Sequence, residues 1–296
     1  MYAPRKHYTI PLAHGGSLHL GERALVMGIL NITPDSFADG GVHMEPSEAV
    51  DAALAMIADG ADIIDVGGES TRPNAVAVPA AEELRRVIPV VRGVASAAQT
   101  PVSIDTYKAE VARAAIDAGA TIVNDVSGLQ YEPDLARVAA EHSAGLVLMH
   151  TRGRSSAMYE HANYADVIAE VARELRQAIE RAVAAGVSPD SIVADPGIGF
   201  AKRPEHSYAV LTAANHPAFL ALGRPVLSGP SRKSFLRAAL GEDTPPADRV
   251  WGTAAAVTAA VLTGSHIVRV HDVKEMVQVV RVADKIRSLQ WSPFSP

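Results

Sequence analysis

The sequence predicts an α/β chain folded as a (β/α)8 barrel, a TIM barrel, preceded by a short N-terminal hairpin. Eight short segments are rich in Val, Ile and Leu with little polar alternation, as strands covered on both faces require. Helical patterns fill the intervals between them, with no linker or low-complexity break. Polar residues collect where the apolar segments end, and in a parallel barrel those exits form one rim.

Residues 7–20 alternate loosely around His14-Gly15-Gly16-Ser17, which predicts the hairpin, placed as a lid on the barrel bottom. Strands follow at 24–31, 62–66, 102–105, 121–125, 145–149, 191–195, 225–228 and 267–270. Ser47-Glu48-Ala49-Val50 opens the first helix, with Ser47 as its cap, and Asp59-Gly60 ends it. Further helices are expected at 80–98, 108–118, 132–142, 165–185, 204–214, 232–240, 248–263 and 272–289. An open doubly wound sheet is the rival architecture, because eight strand–helix pairs do not by themselves prove closure. No GxGxxG follows the first strand, which weighs against a dinucleotide fold. The 296 residues are expected to form one domain, 1–296, with the barrel proper at about 24–290.

Composition narrows the function classes. A net charge of -6 argues against a basic nucleic-acid footprint. The absence of cysteine excludes disulfides, thiolate nucleophiles and Cys-held metals. Met1-Tyr2-Ala3-Pro4-Arg5-Lys6-His7 lacks the apolar stretch of a signal peptide, and the Ala-rich 253–263 is too short to span a bilayer. A cytoplasmic protein without membrane contact is the expectation.

The strand exits carry Asn31; Asp65 with Gly67 to Pro73 behind it; Asp105; Asn124-Asp125; Met149-His150; Asp195; Ser228-Gly229; and Arg269 with His271. Singly, such residues cap helices or close turns. Together they form a chemically sorted set. Asp105, Asn124 and Asp195 suit a flat heterocycle with adjacent N–H donors and a carbonyl, although the same three could hold Mg²⁺. Asp125 reads as a helix cap or as a partner that supports a neighbouring site residue. Arg72, Arg269 and His271, with Thr71 and the Asn31 carbonyl, make an anion-and-metal corner. Gly229-Pro230-Ser231-Arg232-Lys233-Ser234 is expected to open a helix as an anion seat. The loops at 33–41, holding Phe37 and Asp39, and at 67–78, holding Pro73, are long enough to serve as lids. Phe200 offers a ring for stacking.

The stretches MGILNITPDSFADGG (27–41), DVGGESTRP (65–73), SIDTYK (103–108), IVNDVSG (122–128), LMH (148–150), ADPGIGFAK (194–202), SGPSRKSF (228–235) and RVHDV (269–273) occur in the order found in one enzyme family. On them the chain resembles the dihydropteroate synthases, the folate-biosynthesis members of the pterin-binding barrels. The resemblance implies condensation of (7,8-dihydropterin-6-yl)methyl diphosphate with 4-aminobenzoate to 7,8-dihydropteroate and diphosphate. It implies that Asp105, Asn124, Asp195 and Lys233 hold the pterin with Met149 beside it, and that Asn31 ligates Mg²⁺. Thr71, Arg72, Arg269 and His271 would face the diphosphate; Phe37, Pro73, Phe200 and Ser234 would form the aminobenzoate site. Asp39, Arg72, Lys233, Arg269 and His271 are the expected catalytic set, and a homodimer the expected assembly. Asn74, Thr151 and Pro230 depart from the family pattern without removing a functional group. A methyltetrahydrofolate:corrinoid methyltransferase barrel and a non-catalytic barrel are the alternatives; neither would need the cationic rim.

Overall fold

The computed structural model describes residues 2, 4–33, 45–70, 75–154 and 158–289. A hairpin of β1 (Tyr8–Pro11) and β2 (Ser17–Leu20) comes first, followed by β3 (Leu25–Asn31). Then α1 (Pro46–Ala58), β4 (Ile63–Gly67), α2 (Ala80–Ala97), β5 (Val102–Asp105), α3 (Ala109–Asp117), β6 (Ile122–Asp125), α4 (Asp134–Glu141) and β7 (Gly145–Met149) alternate. The second half runs α5 (Val167–Ala184), β8 (Ile192–Asp195), α6 (Pro204–Leu211), α7 (Pro217–Leu220), β9 (Leu227–Ser228), α8 (Arg237–Leu240), α9 (Val250–Leu262), β10 (Ile267–Val270) and α10 (Val273–Ser288).

Eight parallel strands stand in the order β8-β7-β6-β5-β4-β3-β10-β9. A single parallel bridge, Ala194 to Val226, joins the two ends, with the Ala194 N–H donating to Pro225 O at 2.9 Å. This seam closes the barrel and disposes of the open-sheet rival. Only Leu227–Ser228 of the expected 225–228 pair as strand, because Pro225 has no N–H to give the ladder.

The strand pleat sorts side chains into two cores. Val26, Leu30, Ile64, Val66, Ile104, Leu146, Leu148 and Val268 face outward and pack under the helices. Leu25, Met27, Ile63, Ile122, Val147, Val193, Leu227 and Ile267 face inward near the strand starts. There they meet Ile10, Leu12, Leu18 and Leu20 of the hairpin, which plugs the barrel bottom as the alternation at 7–20 predicts. Each buried Ile or Leu of this plug contributes about 1.5–3 kcal/mol relative to exposure. The lower barrel is therefore filled, and only the C-terminal mouth remains for polar chemistry.

Local chemistry shifts three helix boundaries. Glu45, not Ser47, caps α1; it forms a capping box with Glu48, and Pro46 supplies the preset φ of a first helical residue. Residues 204–214 hold α6 and a separate 3-10 turn, with α7 after it. The expected helix at 232–240 is a 3-10 turn (Ser234–Leu236) and the one turn of α8. Arg232 breaks it: its φ is 57°, its N–H donates to Thr253 Oγ1, and its carbonyl accepts from Arg249.

His266 ties the β10 start to the N-terminal segment. Its Nε2 lies 3.0 Å from Lys6 O, and its Nδ1 accepts from Val226 N at 3.2 Å, so the neutral ring satisfies both contacts. Burial pushes its pKa from 6.5 down to about 4. The unfolded chain then binds a proton between those values that the folded chain refuses. This contribution to stability is complete above pH 6.5 and falls as pH drops toward 4, by about 3 kcal/mol in all. His266→Gln should flatten the acid-side decline in urea-unfolding free energy by up to that amount; an unchanged slope contradicts the assignment.

Candidate active site

At the mouth, the inward positions of four strands carry Asp65, Asp105, Asn124 and Arg269, and the register joins them. Arg269 Nε donates to Asp65 Oδ2 at 2.6 Å, and its Nη2 donates to Asp105 Oδ2 at 2.6 Å. Asn124 Nδ2 donates to the same Asp65 Oδ2 at 3.0 Å. Asp65 is fully buried, which a carboxylate tolerates only with such partners. The planar guanidinium suits this bridge because its N–H groups diverge in a fixed fork. Gly67 stands in register between Asn31 and Asp105. A Cβ there would be 3.5 Å from Asn31 Oδ1 and 3.4 Å from Asp105 Cβ, ordinary contact distances, which places both side chains against one position of the rim.

Two carboxylates sharing one guanidinium leave an excess of negative charge. Burial pushes Asp105 up to about 7, Arg269 pulls it back, and Asp65 pushes it up again. The guanidinium itself is held above its ordinary value by both carboxylates, against burial.

Across the mouth, Asp195 ends β8 and accepts the Gly197 N–H at 2.7 Å. Burial raises its pKa, while that hydrogen bond and the charges of Lys233 and Arg269 lower it. Asp195 thus lies near enough to Lys233 and Arg269 for their charges to act on it. Met149 stands opposite it in register and is buried. Lys233 reaches in from the loop after β9; its Nζ donates to Ile198 O at 2.6 Å and sits 3.8 Å from the Phe200 ring centre. Burial lowers the Lys233 amine to about 7.

His271 lies two residues beyond Arg269. Its Nδ1 is 2.9 Å from Ser231 Oγ, which also accepts the His271 backbone N–H at 3.1 Å. Ser234 is exposed, with its Oγ 3.4 Å from Tyr159 OH. Asn31 ends β3 at the rim. Phe37, Asp39, Thr71, Arg72 and Pro73 lie outside the described residues.

Two expectations change. The basic loop does not form an anion seat at a helix start: Arg232 gives its N–H to Thr253 and its guanidinium to Asp272, and Lys233 alone enters the mouth. Asp105 and Asn124 do not await a cation, because Arg269 already lies against Asp105 and against the carboxylate that Asn124 binds. Asp125 caps a turn rather than a helix: it accepts from Ser127 N at 2.8 Å and Leu129 N at 2.6 Å, while the next helix begins only at Asp134. Asp65, named among the strand exits, and Ser231, named in the basic loop, join the site with contacts the sequence did not assign, and Lys202 joins it without having been singled out. Asp65 had a signal, since it sits two residues before Gly67 on the inward face.

The second long loop is anchored at both ends by Glu69. Its carboxylate accepts from Val78 N at 3.1 Å, from Tyr107 OH at 3.1 Å and from Lys108 Nζ at 2.5 Å. Lys108 also bonds the buried Glu83.

A family described as pterin binding enzyme matches residues 27–271. The chain belongs to the pterin-binding enzyme family. A dihydropteroate synthase of Synechocystis sp. is 45% identical over 281 residues, 95% of this chain and 96% of its own. The Yersinia pestis dihydropteroate synthase solved with a sulfonamide drug complex has a TM-score of 0.88 at 40% identity, covering 96% of this chain and 100% of that one. The Xanthomonas albilineans dihydropteroate synthase in complex with 7,8-dihydropteroate has a TM-score of 0.82 at 39% identity, covering 94% and 100%. This pterin-binding enzyme is a transferase with dihydropteroate synthase activity. It condenses (7,8-dihydropterin-6-yl)methyl diphosphate with 4-aminobenzoate in tetrahydrofolate biosynthesis.

Proposed function

We propose that the condensation takes place in the mouth, with the pterin held by Asp105, Asn124, Asp195 and Lys233 beside Met149. The observation that carries this reading is the convergence of Asp195, Lys233, Asp105 and Arg269 in one buried electrostatic unit. Carboxylates accept from adjacent ring N–H groups, and Lys233 donates to a ring carbonyl. Arg269 and His271, with Thr71 and Arg72, would take the diphosphate; the roles of Thr71 and Arg72 rest on sequence alone. Phe200 and Ser234, with Phe37 and Pro73, would receive 4-aminobenzoate, Ser234 near its carboxylate.

The bond from the pterin methylene carbon to the diphosphate oxygen breaks, and the arylamine lone pair forms the new C–N bond. Preorganised cations stabilise the charge growing on the departing oxygen. The extra proton leaves the anilinium, which is acidic enough to need no dedicated base. Asp39 would stabilise positive charge developing on the pterin methylene.

Asn31 fits a divalent cation of the Mg²⁺ type: it offers one hard carboxamide oxygen at the rim, and Mg²⁺ keeps waters and substrate phosphates as its other ligands. Bound there, the ion would neutralise diphosphate charge. Among the described residues no helix is long and apolar enough to cross a membrane. The family resemblance supports a cytoplasmic homodimer.

The test is incubation of the purified protein with both substrates and Mg²⁺, followed by product mass and diphosphate release. The expected result is the mass of 7,8-dihydropteroate and a rate that falls on chelation. An undiminished rate after chelation removes the Asn31 assignment.

A further inference from the structure

We propose that Lys202 is a positioning residue: from beneath, its amino group clamps the segment after β8 that presents Phe200 and the Ile198 carbonyl to the mouth. The proposal rests on the reading that Phe200 and Lys233 meet substrate.

Lys202 is 1% exposed, a long side chain folded entirely into the interior. Its Nζ donates to Gly197 O at 3.0 Å, Phe200 O at 3.0 Å and His150 Nδ1 at 2.8 Å. The far side of the imidazole fixes the protonation pattern. His150 Nε2 is 2.9 Å from Glu174 Oε2, and a carboxylate there requires the ring proton on Nε2. Nδ1 is then an acceptor, and these three contacts of Lys202, like a longer one to His150 O at 3.5 Å, are donations, as an ammonium makes. Burial pushes His150 down to about 4, which keeps the ring neutral and able to accept. Burial also pulls Lys202 below the usual lysine range, while the charge of Asp195 opposes that shift. Arg152 holds Glu174 in turn, so the chain of contacts runs from the mouth floor to the surface.

The clamped segment needs such a hold. Gly197, Gly199 and Ala201 have φ of +66°, +80° and +48°, so every second residue is left-handed. At Gly197 a Cβ would lie 1.9 Å from His150 O, and at Gly199 it would lie 2.9 Å from Lys233 Cδ. Ala201 carries a Cβ in this conformation, at a cost of about 1–2 kcal/mol. The alternation turns neighbouring carbonyls to opposite sides. Gly197 O and Phe200 O meet Lys202, whereas Ile198 O meets Lys233 at 2.6 Å. Two lysines thus grip one segment from two sides, and only Lys233 faces the mouth. Release of the lower grip would leave Phe200 O without its donor and Gly197 O with the Phe200 N–H alone, letting the Phe200 ring and the Lys233 anchor drift together.

Lys202→Met, nearly the same shape without donors, provides the test in two arms. Its crystal structure should show residues 197–200 displaced by about 1 Å, and KM for 4-aminobenzoate should rise about 10- to 100-fold with the circular dichroism spectrum retained. A merely structural role would reduce the active fraction, lowering apparent kcat and leaving KM alone. In a double-mutant cycle, Lys202→Met and Phe200→Ala should combine less than additively in kcat/KM, because both act through one ring. If Lys202→Met does not fold, Lys202→Gln, which keeps one donor, carries both arms. An unmoved segment, or additive losses, overturns the clamp. An unchanged KM in Phe200→Ala alone would instead fault the substrate assignment, and the crystallographic arm would still decide the clamp.

Discussion

Arg269→Ala should lower turnover by about 10²–10³-fold, the loss expected when one preorganised charge donor is removed from a displacement site. The structure adds a second consequence. Arg269 bonds both Asp65 and Asp105, so its removal strands two buried carboxylates beside each other. The guanidinium that restrains Asp105 would be gone, and its pKa would climb above about 7. Asp105 would then carry a proton at neutral pH, where a pterin N–H needs an acceptor. Pterin affinity should therefore fall along with turnover. Arg269→Lys separates the two effects: it restores a charge near Asp105 without the fork that reaches both carboxylates at once. Pterin affinity should recover in that variant more fully than kcat. Wild-type turnover in Arg269→Ala would remove the diphosphate role.

Asp195→Ala should weaken pterin binding, read by calorimetry with the pterin diphosphate alone, by about 10²–10³-fold. That corresponds to about 3–4 kcal/mol, within the range for truncating one partner of a buried charged contact. Asp195 is 6% exposed and has one oxygen on the Gly197 N–H. On the proposed reading its other oxygen would be the acceptor for the ring. The truncation also leaves Lys233 without the anion that most raises its pKa, so the amine should fall below about 7 and lose its proton at neutral pH. Asp195→Asn retains the shape and an acceptor for Gly197; recovery of most affinity in that variant would point to packing rather than charge. Undiminished affinity in Asp195→Ala would mean that the heterocycle sits elsewhere.

The strands were legible because each is a run of apolar residues too short for a helix, and their exits were legible because a parallel barrel gathers them by topology. β9 shows the limit. A hydrophobic run announces a strand, but Pro225 decides how much of it can pair. Arg232 shows another limit, since its left-handed backbone is imposed by Thr253 and Arg249, which come from a later part of the chain. Arg269 was legible as a charged residue on a barrel strand. Its partners were not: Asp65 lies 204 positions away and Asp105 164 positions away, and only strand register brings them together. Lys202 carried no signal, because a lysine after a glycine-rich stretch reads as solvent-exposed until the fold encloses it.

The join between β8 and β9 rests on one bridge, while the other strand pairs are laddered over two or more residues. The two segments leaving that join carry Phe200 on one side and Lys233 with Ser234 on the other. Lys233 Nζ, 2.6 Å from Ile198 O, spans those two segments, so a side-chain bond stands there where the ladder is shortest. The least laddered join of the barrel is thus fastened by an amine that also faces the mouth, so one side chain serves both closure and the site.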